Sequence, residues 1–231
     1  MIDYIEGHTL LINKPLRWTS FDVVKKIRNT LRTNLQVKNI KVGHAGTLDP
    51  LADGLLIVCT GKFTKRINEF QAQEKEYNAE FTLGATTPSF DLETEINETF
   101  DYNHITEDML ITTAKSLTGE ITQKPPIYSA IKQNGKRLYE HARKGKKVKI
   151  KNRMVRVSKF EILAVEMPKV HVKIICGKGT YVRSLAQTFG EKLNSGAHLS
   201  QLTRIRIGKL KLSQAIDIQD FINSMSDIKN P

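Results

Sequence analysis

Cysteine is scarce: Cys59 and Cys176 are the only two in 231 residues, and both fall inside apolar, strand-like runs. That excludes a disulfide framework and suits reduced, buried thiols. The six histidines are scattered without paired metal-ligand spacing, so no structural metal is expected. No apolar run approaches the length a membrane span requires. The start, Met1 to Glu6, is acidic where a secretory leader would be basic, and no small-residue cleavage site follows. A cytoplasmic protein with no membrane partner is expected. Internal repeats, low-complexity tracts and Pro/Gly/Ser linkers are also missing.

Acidic residues are outnumbered: 24 against 36 Lys and Arg, for a net charge of +12. A polyanionic partner is favoured. The charge is also segregated. From Lys132 to Lys159 there are twelve basic residues against one acid, Glu140, whereas Ser89 to Asp108 holds seven acids and no base. Such a basic block would release many counterions on meeting a phosphate backbone, which makes nucleic acid the leading partner class. An anionic membrane surface competes weakly, since the block lacks a large aromatic and leucine face.

Along the chain, His8 to Ile12 reads as a strand. Thr19-Ser20 offers an N-cap to an amphipathic helix with Val23, Ile27 and Leu31 on one face and Lys25, Lys26, Arg28 and Arg32 on the other. Leu55 to Cys59 is a short apolar run bounded by glycines, a buried strand. Gly61 to Phe70 reads as a short helix. Tyr77 to Leu83 alternates, with Tyr77, Ala79, Phe81 and Leu83 on one face and Asn78, Glu80 and Thr82 on the other. Thr106 caps a helix to about Leu117. Gln123 to Ala130 is extended because of its prolines. A short helix from Arg137 to Lys144, strands at 153–165 and 170–176, a helix from Val182 to Leu193, a strand at 202–207 and a terminal helix complete the chain. Irregular alternation and short connections predict one α+β domain over residues 1–231 with a mixed, mainly antiparallel central sheet flanked by helices. Residues 124–152 form its most charged, most loop-like insertion.

Gly43 to Leu56 places one carboxylate, Asp49, in a loop of small residues immediately before the buried strand, a common way to present a catalytic group. Asp before Pro is also ordinary turn chemistry, and taken alone Asp49 reads first as a turn former. Cys176 to Leu185 runs from a strand through two glycines into a helix whose first turn carries Arg183. The helix dipole disfavours a cation there, and a partner carboxylate would account for it; Asp49 is a candidate. Taken singly, Tyr77 is a core aromatic and His44 a loop residue with a satisfied hydrogen bond.

Together these segments resemble a known family along nearly the whole chain. Leu11-Ile12-Asn13-Lys14-Pro15 with Thr19-Ser20, Gly43 to Ala52, Lys75-Glu76-Tyr77 with Leu83-Gly84, Pro125 to Lys132 with Gly135, Leu138-Tyr139 and Ala142-Arg143, Lys178 to Leu185, and Gly196 to Leu199 are similar, in order and spacing, to the motifs of TruB-type tRNA pseudouridine synthases. The resemblance implies a pseudouridine-synthase-like fold. It also implies isomerisation of uridine to pseudouridine at position 55 in the T loop of tRNA, on a flipped-out base and without a cofactor. Asp49 would be the catalytic carboxylate, suited to stabilising or trapping charge at the sugar carbon. Arg183 would pair with it, Tyr77 would stack under the uracil, His44 would support the opened loop, and Tyr181 and Leu202 would line the pocket. Lys14, Lys132, Lys136, Arg137, Arg143, Lys144, Lys146 and Lys147 would grip the RNA and help offset the cost of extruding a base. Neither a guide RNA nor a second copy of the chain is expected.

Departures from the pattern accompany it. Asp53 stands where the family usually has Thr, a second carboxylate beside the motif. The stretch 86–91 departs too, and Asp91, though it matches, carries no assigned role. The chain ends at Pro231, too soon after the last motif for a C-terminal PUA domain. Two rivals fit parts of the sequence: an RNA-folding helper that needs the basic block but not Asp49, and a glycoside hydrolase using Asp49 and Asp53 as a carboxylate pair.

Overall fold

In the computed structural model, which describes residues 2–129, 132–133, 136–138 and 150–227, the apolar run becomes the centre of β3 (Ala52–Thr60). Its residues are buried on both faces. Leu56 and Val58 join Ile12, Val23, Ile27 and Leu31, while Leu55, Ile57 and Cys59 join Ala45, Phe70 and Ile207. Burial on both faces is why the run shows no polar alternation.

The chain gathers into two compact units, Met1–Tyr77 with Leu202–Pro231, and Asn78–Gln201. In the first, strands lie in the order β14 (Ile216–Asp217), β1 (Thr9–Lys14), β3, β12 (Ala197–Ile207), with β2 (Val42–His44) on β3 and β13 (Leu210–Lys211) on β12. β1 and β2 pair antiparallel to β3; β14 pairs parallel to β1, and β12 parallel to β3. Helix α1 (Ser20–Leu35) starts at a reciprocal cap: the Asp22 N–H donates to the Thr19 hydroxyl, and the Asp22 carboxylate accepts from the Thr19 N–H. Its stripe of Val23, Val24, Ile27 and Leu31 covers one sheet face together with Phe221 and Met225 of the terminal helix, α5 (Ile218–Asp227). The expected helix after Gly61 is a 3-10 segment (Gly61–Arg66) running into α2 (Ile67–Ala72).

In the second unit, the strand order is β4 (Lys75–Leu83), β11 (Lys169–Cys176), β10 (Arg153–Glu166), β7 (Gly119–Gln123). β10 pairs antiparallel to both of its neighbours. Helices α3 (Glu107–Ser116) and α4 (Val182–Lys192) bury Leu110, Ala114, Leu185 and Phe189. Phe81, Phe160 and Phe189 meet with ring centroids 5.5–5.9 Å apart. In β4, Tyr77, Ala79, Phe81 and Leu83 are buried as the alternation requires, but so is Glu80. A polar partner set makes that tenable: the Ser200 hydroxyl donates at 2.7 Å, and the Lys169 ammonium lies 3.3 Å away. β5 (Ala85–Thr86) and β6 (Glu98–Thr99) form a small ladder at the root of the acidic segment.

β8 (Lys132–Gln133) and β9 (Lys136–Arg137) form a two-residue antiparallel ladder. Arg137 therefore lies in a strand rather than opening the helix expected there, and residues 139–149 lie outside the described ones. β12 begins at Ala197, five residues before the expected start, because residues 197–201 lie beside β4 in the sheet; His198 Nδ1 and the Leu199 N–H also tie this end to Ala85 O and Phe90 O. Cys59 and Cys176 are free and buried. The sheet is mixed and mainly antiparallel, as expected.

Candidate active site

The loop between β2 and β3 is fastened from several directions. At its start the Ala45 N–H donates to Ile57 O at 2.9 Å, and at its end the Ala52 N–H closes a turn onto Asp49 O at 3.1 Å. From α1, the Ser20 hydroxyl both accepts from the Leu48 N–H at 2.8 Å and donates to Leu48 O at 3.1 Å. The Arg17 N–H reaches Pro50 O at 2.7 Å. From β12, the buried Arg204 guanidinium donates to Leu55 O at 2.8 Å, Gly46 O at 3.1 Å and Thr47 O at 3.5 Å. A loop of turn formers thus becomes a fixed mount for the half-buried Asp49.

Gly54 makes this possible. Its φ is +95°, and a Cβ there would sit 2.5 Å from Arg204 O. Only glycine lets β3 and β12 approach closely enough to bring the guanidinium under the loop.

Lys14 has a different position from the one expected. The family resemblance implies an RNA contact for Lys14, but its side chain is fully buried, its ammonium donating to Pro15 O at 2.9 Å and Trp18 O at 2.6 Å. The strand β1 alternates, and Lys14 falls on its inward phase with Leu10 and Ile12. Burial lowers its pKa to about 8, against the attraction of Asp53 and Asp49, which raises it. Lys14 is therefore an internal charge close to both carboxylates of the motif rather than a phosphate contact. Asp53, in β3 opposite Thr203, has its Oδ1 buried without a hydrogen-bond partner among the described residues.

His44, the last residue of β2, has its pKa lowered by burial and by the nearby Arg204 charge, which keeps the ring neutral at pH 7. Leu202 lies in β12 opposite Ala52, and Tyr77 is a buried residue of β4. Sequence reasoning missed Arg204. The signal was the period of two that puts it on the same strand face as Leu202.

The second unit holds the other pocket candidates. Arg183, in the first turn of α4, is 3% exposed. Its Nη1 lies 3.5 Å from the buried carboxylate of Asp91 and donates to Ser89 O at 3.2 Å, while Nη2 donates to Tyr128 O at 2.9 Å. A buried cation beside a helix N-terminus is tolerable because these partners offset the unfavourable dipole. Asp91, left without a role on sequence grounds, is thus a carboxylate partner of Arg183, and the Glu93 N–H holds it at 2.9 Å. Tyr181 caps α4. The Gln123 amide brackets its backbone, accepting from Tyr181 N–H at 2.8 Å and donating to Tyr181 O at 3.1 Å. The Arg153 guanidinium lies 4.6 Å from the centre of the Tyr181 ring.

Of the expected RNA contacts, Lys132, Lys136 and Arg137 belong to the β8–β9 ladder, and Arg143, Lys144, Lys146 and Lys147 lie outside the described residues. Among the described residues, no group of three or more His, Cys, Asp or Glu side chains is placed to hold a metal. None of the described helices is long and apolar enough to cross a membrane.

Residues 32–182 match the profile of the TruB family pseudouridylate synthase N-terminal domain. The chain belongs to this family. Members of the TruB family are pseudouridylate synthases, so the chain is an isomerase of that class. It is 52% identical over 224 residues to the tRNA pseudouridine synthase B of Flavobacterium johnsoniae, covering 96% of this chain and 98% of that one. It is 50% identical to the protein of the same name from Parabacteroides distasonis, covering 96% and 95%. Among solved structures, a Cbf5-Nop10-Gar1 complex matches with a TM-score of 0.74 at 29% identity, over 98% of this chain. An H/ACA RNP bound to a substrate RNA matches with a TM-score of 0.71 at 27% identity. The chain spans 56% of the matched chain in each.

Proposed function

We propose that this TruB-family chain converts uridine to pseudouridine at position 55 in the T loop of tRNA, with Asp49 as the catalytic carboxylate. The choice of tRNA is carried by the near full-length identity to proteins named tRNA pseudouridine synthase B. The choice of Asp49 is supported by the mount described above: a carboxylate in a loop pinned at Gly46, Thr47, Leu48 and Pro50, with the Lys14 charge attracting it from below.

The reaction moves no electrons between molecules. The glycosidic bond from N1 to the sugar carbon breaks, the uracil turns, C5 bonds to the same carbon and releases its proton, and N1 ends with a proton in its place. Charge grows at the sugar carbon as the first bond breaks, and a fixed, ionised carboxylate is best placed to stabilise or trap it. A prepositioned carboxylate needs no reorganisation at that moment, which is the benefit of so many loop anchors. In this reading Arg183 orients Asp49, and Tyr77, Tyr181 and Leu202 hold the flipped uracil. His44, neutral, supports the opened T loop. The basic insertion supplies phosphate contacts that offset base extrusion. The enzyme acts on tRNA directly, as a monomer in the cytoplasm, without a guide RNA or cofactor.

Asp49→Asn keeps size and loop hydrogen bonding but removes the charge. It is expected to form no pseudouridine in transcribed tRNA, read by tritium release from 5-labelled uridine, while retaining tRNA binding in a filter assay. Product at a tenth of the native rate or more would overturn the assignment.

A further inference from the structure

The turn leading into α1 carries a backbone feature that the catalytic reading leaves unused. Pro15 to Trp18 form a tight turn, closed by the Trp18 N–H on Pro15 O, and Arg17 occupies its third position with φ +67°. That is the place turns usually give to glycine or asparagine, and a long L side chain there costs roughly 1–2 kcal/mol. The backbone gains the Arg17 N–H bond to Pro50 O, which any residue but proline could make, but the arginine side chain gives the fold nothing in return. Among the described residues, the Arg17 guanidinium makes no hydrogen bond or ion pair and is exposed. Strain kept at an exposed charged side chain points to a task outside the fold.

Arg17 lies in a cleft of about 390 Å³ lined also by Trp18, Asp22, Lys25, Lys26 and Asn29. Three cations face it against one carboxylate. Asp22 is already committed to the helix cap, its Oδ2 accepting from the Thr19 N–H at 2.9 Å and the Thr19 hydroxyl at 2.6 Å. Lys25 is within electrostatic reach of Asp22, yet neither Lys25 nor Lys26 has a hydrogen bond or ion pair among the described residues. Phe21, on the first turn of the same helix, is 59% exposed. Unpaired cations beside exposed aromatic surface are the composition of a nucleic-acid groove.

The cleft is also rigidly mounted next to the reaction loop. The Lys14 ammonium ties both ends of the turn, at Pro15 O and Trp18 O, and the Arg17 N–H ties it to Pro50, the residue after Asp49.

We propose that the Arg17–Trp18–Lys25–Lys26 cleft is a second RNA-binding site, separate from the basic insertion, which takes the phosphate backbone of the substrate tRNA and fixes its position relative to the Asp49 loop. This rests on tRNA being the substrate.

The test is filter binding of the full chain to one transcribed tRNA over 50–300 mM salt, comparing wild type with Arg17→Gly/Lys25→Gln/Lys26→Gln. Each lost phosphate contact lowers the slope of log K against log salt by about 0.7–0.9, so the slope should fall by roughly 2 and affinity at 0.1 M salt by roughly tenfold or more. Arg17→Gly alone, relieved of strain, should melt about 2 °C or more above wild type, and the triple variant no lower than wild type, which excludes misfolding as the cause. An unchanged slope in the triple variant overturns the proposal. So does an equal fall in a Lys38→Gln/Lys209→Gln control, which would reveal only a diffuse positive field. Binding is read without turnover. A chain that binds with this slope but makes no pseudouridine refutes the proposed reaction and leaves the cleft standing; full activity with an unchanged slope does the reverse.

Discussion

Lys14→Met tests whether the buried ammonium is strained by its surroundings. Met matches the lysine stem in length and removes the charge. In the fold the Lys14 pKa is about 8, with burial the dominant cause; Asp53 and Asp49 pull it up, and Arg204 pushes it down. In the unfolded chain it is about 10.4. Between those values the unfolded state binds more protons than the native one, so stability must rise with pH. Below pH 8 both states are protonated and the penalty for burying the charge is fully present. A gap of about 2.4 pH units at 1.36 kcal/mol each is about 3 kcal/mol. The assay is urea unfolding of both proteins from pH 6 to 10.5, taking wild type minus variant so that the other titrating groups cancel. The difference should be flat below pH 7.5, then shift by about 3 kcal/mol in favour of wild type by pH 10.5. The loss of two charged hydrogen bonds, to Pro15 O and Trp18 O, adds only a pH-independent offset. Parallel curves across the whole range would refute a depressed Lys14.

Two further substitutions probe one mount in each compact unit. Asp91→Asn leaves the Arg183 guanidinium 3% exposed beside an uncharged amide; denaturant unfolding should show a loss of about 3 kcal/mol, and a loss below 1 would show that the other partners of Arg183 suffice without this carboxylate. Gly54→Ala drives a Cβ to 2.5 Å from Arg204 O at φ +95°. It should cost about 3 kcal/mol or more and lower pseudouridine formation at temperatures where the variant is still folded. A variant with native stability would mean that β3 and β12 can separate without consequence.

Most of the secondary structure was legible because its causes are local. The Thr19 and Thr106 caps, the four-residue spacing of Val23, Ile27 and Leu31, and the prolines after Gln123 act within one turn of chain. The early start of β12 was not, because residues 197–201 are strand through their place beside β4, more than a hundred residues earlier in the chain. Glu80 misled for the same reason. Alternation placed it on the polar face, and only its partners on other strands make a buried carboxylate tolerable there.

The candidate site divides along the same line. Asp49 was legible as a position, since glycines and turn formers mark a loop wherever they occur. What holds the loop was not, because each anchor is a long-range bond from a residue whose local pattern is unremarkable: Ser20 in a helix start, Arg204 in a charged strand, Lys14 before a proline. Lys14 shows how a family motif can be read correctly and placed wrongly. Its match identified the segment, while the period of two in β1 already assigned its side chain to the interior. The same turn reverses the lesson at Arg17. There the sequence shows one more arginine in a basic protein, and only the backbone dihedral reveals that the fold spends stability to present it. Together the two residues make Pro15 to Trp18 a hinge of charge: one cation turned inward under the carboxylates, the next turned outward into the cleft. Since the Lys14 ammonium ties both ends of that turn, losing it should also loosen the outward arginine, coupling the alkaline stability profile to the grip on RNA.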